Sequence, residues 1–161
     1  LKWRRAAKGF SLMETVMNML LTAIVISIAM VMLSITFKIG FQIHSQLTID
    51  EEIVKLNSNL KYIVSRNWTG LDLSEGLNDD TITLESRFPL IPEASVATIT
   101  YLDGKLIFIY KESENTLTQM VVAEYLDQFT FYDLEGQYLY YRAVFEYRGA
   151  TKQIEGAVRI Y

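Results

Sequence analysis

Cysteine is absent, histidine occurs once, at His44, and proline only twice, at Pro89 and Pro92. Without thiols there is no disulfide framework, no thiolate nucleophile and no thiolate zinc site, so any exported part must be held by its core alone. One histidine cannot furnish a Ser-His-Asp triad or a His-Glu-x-x-His helix, and the sequence has neither a Gly-rich phosphate loop nor a Gly-x-Ser-x-Gly elbow. The acid pairs Glu51-Glu52 and Asp79-Asp80 have the right atoms for acid and base work, but no pocket motif lies near them and they read as solvated surface. Catalysis, a cofactor and a bound metal are therefore not expected of this chain. Charge is also missing from one long stretch. The 23 residues from Thr15 to Phe37 carry no ionisable side chain, and Phe10 to Phe37 contains one charge, Glu14, and no glycine or proline.

The length of 161 residues suits one modest domain. Its charge is split. Residues 1–38 carry a net +4, from Lys2, Arg4, Arg5, Lys8 and Lys38 against Glu14, while residues 39–161 carry a net −8. So acidic a body is a poor binder of nucleic acid by itself, because affinity for a polyanion comes chiefly from phosphate neutralisation. The basic end followed by the uncharged run has the layout of a membrane-targeting segment with its amino terminus in the cytoplasm. At about 1.5 Å per residue the run is long enough to cross a hydrocarbon core of roughly 30 Å. No convincing small-x-small cleavage site precedes Lys38, so removal after the helix by a conventional signal peptidase is not expected.

Glu14 does not fit a simple anchor. A carboxylate in lipid costs on the order of 2.5–3.5 kcal/mol, so an acid placed there implies a partner. The string Lys8-Gly9-Phe10-Ser11-Leu12-Met13-Glu14 closely resembles the processing site of type IV pilins and of the pseudopilins of type II secretion and competence systems. The resemblance implies a leader over residues 1–9, cleavage between Gly9 and Phe10 by a membrane-embedded prepilin peptidase, and N-methylation of Phe10. It further implies a minor subunit whose partners are other pilin or pseudopilin subunits, a membrane assembly platform and, before assembly, membrane lipid. Nucleic acid enters only as a partner at a filament tip. Departures are small: Ser11 stands where threonine is commonest, Met13 where isoleucine or leucine is usual, and the helix-loosening proline of many pilins is missing from the apolar segment.

The spacing also has a physical reading. Glu14 lies one helical turn beyond Phe10, so among staggered parallel helices its carboxylate can meet a neighbour's free amino terminus. Two such charges about 4 Å apart attract by roughly 4 kcal/mol at an effective dielectric near 20, before desolvation is subtracted, and the contact sets axial register. The rival reading is an uncleaved single-pass signal anchor with an extracytoplasmic β-rich receptor or assembly domain.

Beyond Lys38 and Gly40 the apolar residues Ile49, Ile53, Leu56, Leu60 and Ile63 recur at intervals of four and three, the stripe of an amphipathic helix. Asp50, Glu51, Glu52, Lys55, Asn57, Asn59 and Lys61 are assigned to its solvated face. A helix from Phe10 to about Arg66 is expected, ended by Asn67 and Gly70, with Gly40 either a bend or a tolerated glycine. His44, without neighbouring ligands, reads as an interfacial side chain. Trp68 to Asp80 reads as a loop; Asp72, Glu75, Asp79 and Asp80 could gather around calcium, as in some pseudopilins, but lack EF-hand spacing and favour a solvated loop.

Strands are expected over Thr81–Glu85, Val96–Leu102, Lys105–Lys111, Leu117–Val122, Gln128–Leu134, Tyr138–Tyr147 and Gln153–Tyr161, as an antiparallel meander. Asp103-Gly104, Glu135-Gly136 and Arg148-Gly149 supply turns, and Pro89 and Pro92 break the chain before the first hairpin. Phe129, Phe131, Tyr141, Ala143, Phe145 and Tyr147 should pack on the helix, and Tyr138, Tyr140 and Tyr141 are assigned to core packing rather than to an adhesive patch. The expected fold is α+β: leader 1–9, membrane helix 10–38, amphipathic continuation 39–66, and a sheet domain 67–161.

Overall fold

The computed structural model describes residues 12–65, 68–73, 81–87, 95–113, 116–135 and 137–160. Gly9, Phe10, the leader, Pro89, Pro92 and the acids Glu75, Asp79 and Asp80 lie outside the described residues. One helix, α1 (Leu12–Val64), precedes eight strands: β1 (Trp68–Leu73), β2 (Thr81–Ser86), β3 (Val96–Leu102), β4 (Lys105–Ser113), β5 (Thr116–Ala123), β6 (Leu126–Glu135), β7 (Tyr138–Tyr147) and β8 (Ala150–Arg159). The chain divides into two compact units, Leu1–Ile43 and His44–Tyr161. The second is an α+β body, with the distal part of α1 packed on antiparallel sheets as expected.

In that body Ile49, Leu56, Leu60, Ile63 and Val64 of α1 are buried, the stripe read from their spacing. They join one core with Ile82, Leu84, Ile99, Leu106, Val122, Phe129, Phe131, Tyr141 and Phe145. The polar face is less solvated than its composition suggests. Asn59 Nδ2 donates to the carbonyl of Val122 at 2.9 Å, Glu52 Oε2 accepts the amide of Glu124 at 2.7 Å, and Tyr141 Oη donates to Asn57 Oδ1. These side chains flank the apolar stripe, where a longer polar group can reach a backbone carbonyl, a backbone amide or a tyrosine hydroxyl of the sheets. Glu52 is also held by Lys55 at 3.1 Å, so its carboxylate is structural.

The helix runs unbroken through Gly40 and ends without the expected glycine. Its terminal carbonyls are satisfied instead by the Ser65 hydroxyl on Lys61 O and by the Trp68 indole, whose Nε1 donates to Ile63 O at 2.5 Å. Trp68 then opens β1, where a loop was expected; β1 pairs with β2 from Trp68↔Ser86 to Leu73↔Ile82, with an irregularity before Gly70. The Leu71-Asp72-Leu73 alternation was too short to outweigh the glycine and aspartate around it.

The meander is split. β1 to β5 form one sheet in chain order and β6 to β8 another. The cause lies at Glu124-Tyr125. The Glu124 amide is taken by the Glu52 carboxylate, and Tyr125 adopts φ 59° with its carbonyl accepting Glu146 N at 2.9 Å, so the β4–β5 ladder cannot continue into β6. Hairpin turns fall where expected at Asp103-Gly104 (φ 48° and 76°) and Arg148-Gly149 (φ 50° and 80°), both residues of each in the left-handed region that a type I′ turn requires. The second turn pairs Tyr147 with Ala150, so β8 begins three residues before the expected Gln153. β6 and β7 connect across residues 136–137, beyond the Glu135↔Tyr138 pair.

Tyr138, Tyr140 and Tyr141 separate by the period of two: Tyr141 is buried, while Tyr138 and Tyr140 face outward. The assignment of all three to the core holds only for Tyr141. Burial pushes the Tyr141 hydroxyl above its ordinary value of 10.0. An unfolded chain loses that proton near pH 10 while the folded one keeps it, so the stabilisation is complete below that pH and is lost as pH rises through the folded value. Lys105, raised by its hydrogen bond to Glu124, acts in the same direction on the alkaline side. The thermal midpoint is therefore expected to fall above about pH 10, and less steeply in Tyr141→Phe; equal slopes in a melting series would assign the whole effect to other groups.

Candidate assembly surface on the amino-terminal helix

Every described residue from Leu12 to His44 is exposed. Within α1 an eighteen-residue window reaches a mean hydropathy of 2.5 with none of it buried, and among the described residues this is the one helix long and apolar enough to cross a membrane. A helix apolar on all sides needs an apolar surrounding from outside itself. Its hydroxyls are adapted to that setting. Thr22 Oγ1 donates to Asn18 O at 2.8 Å, Ser27 Oγ to Ala23 O at 2.8 Å and Thr36 Oγ1 to Met32 O at 2.9 Å, so each is satisfied by the preceding turn and needs no water.

Glu14 sits in the first turn of the described helix and is exposed. Asn18 and Thr22 follow it at four and eight residues and therefore share its side of the helix, with Thr15 beside them. Thr15, Asn18, Met19, Thr22, Ala23 and Ile26 line a shallow groove along this side. Small and polar side chains along one helix side are the usual means by which two membrane helices approach closely. Sequence reasoning singled out Glu14 but passed over Asn18 and Thr22, although the four-residue spacing was available to link them.

Gly9 and Phe10, the expected cleavage and methylation positions, lie outside the described residues, so Glu14 alone of that set has a described position. His44 is exposed, and its carbonyl accepts the Thr48 hydroxyl at 3.0 Å. Asp72 belongs to β1. Among the described residues no three His, Cys, Asp or Glu side chains gather in a way that could hold a metal ion. The best-formed ion pairs lie in the second unit: Lys105 with Glu124 at 2.8 Å, Arg142 with Glu155 at 2.8 Å and Lys152 with Asp50 at 2.6 Å. The Lys105 hydrogen bond holds the Glu124 carboxyl below its ordinary value against an opposing effect of burial, a surface contact of modest worth.

The described surface thus offers no assembled reactive centre; its outstanding chemical feature is an apolar helix surface bearing one acid and a short polar row. Comparison of the chain with protein-family models, with curated proteins and with solved structures found no match in any of the three.

Proposed function

We propose that this chain is a minor pilin or pseudopilin subunit. It enters the membrane by α1 with its amino terminus in the cytoplasm and its sheet body outside. A prepilin peptidase cuts between Gly9 and Phe10, and the new amino terminus is methylated. The trimmed subunit then leaves lipid by packing its helix among those of other subunits on a membrane assembly platform. It performs no catalysis and carries no cofactor.

The observation that carries this reading is the pairing, in one continuous helix, of a fully exposed apolar segment with a distal part committed to a β-rich core. The exposed segment exchanges lipid for neighbouring helices with little change in apolar burial, so association rests on close packing and polar alignment rather than on water exclusion. Glu14, with Asn18 and Thr22 on the same side, supplies that alignment. The basic residues before Gly9 keep the amino terminus inside until cleavage removes them.

Intact-mass analysis after co-expression with a prepilin peptidase tests the reading. Loss of everything through Gly9 is expected, and Gly9→Leu should block it. A chain that stays whole in the presence of active peptidase would favour the permanent signal anchor.

A further inference from the structure

β8 follows α1 through the second unit in the same direction. Ala150 and Thr151 share a groove with Gln46 and Ile49, Lys152 pairs with Asp50 at 2.6 Å, and Val158 and Arg159 share another groove with Lys61 and Ser65. The Arg148-Gly149 turn, which precedes Ala150, therefore stands at the end of the unit where α1 enters it. The Asp103-Gly104 turn is held at the same end. Leu126 N donates to Gly104 O at 3.0 Å, and the adjoining Tyr125 accepts Glu146 N at its carbonyl and places its ring centroid 4.6 Å from that of Tyr147. The Arg148 guanidinium covers the Tyr147 ring at 5.1 Å. Large apolar side chains from separate elements are exposed here: Leu47 of α1, Leu102 at the close of β3, and Tyr125.

We propose that this end of the body is a second membrane contact, resting in the headgroup layer of a zwitterionic bilayer while the chain resides in the membrane. The contact requires the proposed membrane span of α1, but neither cleavage at Gly9 nor assembly. Chain length selects lipid over protein. The uncharged run ends at Phe37 and the second unit begins at His44, seven residues later, about 10 Å of helix. The headgroup layer on each side of a bilayer takes roughly 5–7 Å of that, so no folded partner fits between this end and the lipid. Tethering also gives the surface a high effective concentration, so a weak affinity suffices. The side chains suit the boundary: tyrosine rings favour the membrane–water interface, the leucines add aliphatic area, and the Arg148 stem lets its guanidinium reach a phosphate. Charge selects the lipid class. With Glu52 and Lys55 cancelling, Lys105, Arg148 and Lys152 stand among Asp50, Glu51, Asp103, Glu124, Asp127 and Glu146, three cations against six carboxylates and hence net −3. An anionic surface opposes such a contact and a neutral one does not.

Because the chain has no cysteine, one introduced cysteine carries one fluorophore. The full chain, one copy per phosphatidylcholine nanodisc, is labelled at Thr151→Cys near the β7–β8 turn, at Thr116→Cys on the far end of β5, or at Ala23→Cys in α1. A nitroxide on the lipid headgroup should quench the Thr151 label and spare the Thr116 label, while a nitroxide on the acyl chain should quench the Ala23 label. Leu102→Ser/Tyr125→Asn, in which asparagine accepts the left-handed backbone of Tyr125, should abolish quenching at Thr151 with cooperative melting retained. Leu102→Ser alone changes one exposed side chain and should weaken the quenching. Leu117→Ser, at 60% against 56% a matched exposed leucine on the far end of β5, should leave it unchanged. Adding phosphatidylglycerol should weaken it. An unquenched Ala23 label would remove the span, and the contact with it. With the Ala23 label quenched, the contact alone is overturned if the Thr151 label is not quenched, if the Thr116 label is quenched equally, if either Leu102→Ser variant keeps the quenching in full, if Leu117→Ser abolishes it, or if phosphatidylglycerol strengthens it.

Discussion

Replacing Glu14 by alanine is expected to leave the protein in the membrane and remove it from the filament. Insertion should survive because the substitution deletes a carboxylate whose presence in lipid opposes insertion by about 2.5–3.5 kcal/mol. Incorporation should not, because the same group provides the one charge between Phe10 and Phe37 able to distinguish one axial register from another. An ion pair with a neighbour's amino terminus, worth up to about 4 kcal/mol before desolvation, corresponds to roughly thirtyfold in occupancy if half of it survives. Sheared filament fractions should lose the subunit by about tenfold or more while membrane fractions keep it. Glu14→Gln keeps the size and removes the charge, and should fail nearly as badly; Asn18→Leu keeps the acid and removes one polar neighbour, and should fall between. Unchanged incorporation of Glu14→Ala would remove the register mechanism, whatever else the helix does.

The largest stability effect is expected at Tyr141. Its side chain is buried, stacks on Phe129 with centroids 5.8 Å apart, donates to Asn57 on the helix and lies over Gly156, its partner on β8. Tyr141→Ala removes a large buried ring and strands the Asn57 carbonyl, a loss of about 3–5 kcal/mol for the ring with about 1 kcal/mol more for the hydrogen bond. Gly156 belongs to the same device. A Cβ there would lie 2.5 Å from Tyr141 Cζ and 2.7 Å from Cε1, so Gly156→Ala must displace the ring, at a cost of about 1–3 kcal/mol. That is opposite in sign to the entropic gain an alanine normally brings to a strand. The two substitutions should therefore couple: with Tyr141→Ala already present, Gly156→Ala should be neutral or stabilising. Additive costs in denaturant melts of the four proteins would mean that the ring does not need the glycine.

Much of the body was open to reading from composition and spacing because those signals are local. The three-and-four recurrence from Ile49 to Ile63 marks a buried helix stripe whatever covers it, and the buried stripe matches. Asp103-Gly104 and Arg148-Gly149 turn because few other residue pairs accept left-handed backbone at both positions, a property of the dipeptides themselves. The apolar run is likewise a matter of counting. Reading went astray where the deciding partner is remote in sequence. β1 is a strand because β2 is there to pair with it. Asn57 and Asn59 look like solvated residues until Tyr141 and Val122 arrive beside them from far along the chain.

The candidate site divides in the same way. Glu14 was conspicuous as the lone acid in an apolar run, a contrast visible in any linear reading, whereas the exposure of everything around it, from Leu12 to His44, is a property of the folded chain. Composition and periodicity were sufficient to establish a helix apolar and long enough to cross a membrane, an amphipathic continuation and an antiparallel body, because each follows from neighbours within a turn of helix or along one strand. Only the folded chain decided that the body has two sheets, since the break depends on the Glu52 carboxylate capturing an amide 72 residues away. Only the folded chain decided which tyrosines face the core and which face outward, because a side chain's side of a sheet is set by register, and register is a relation between strands.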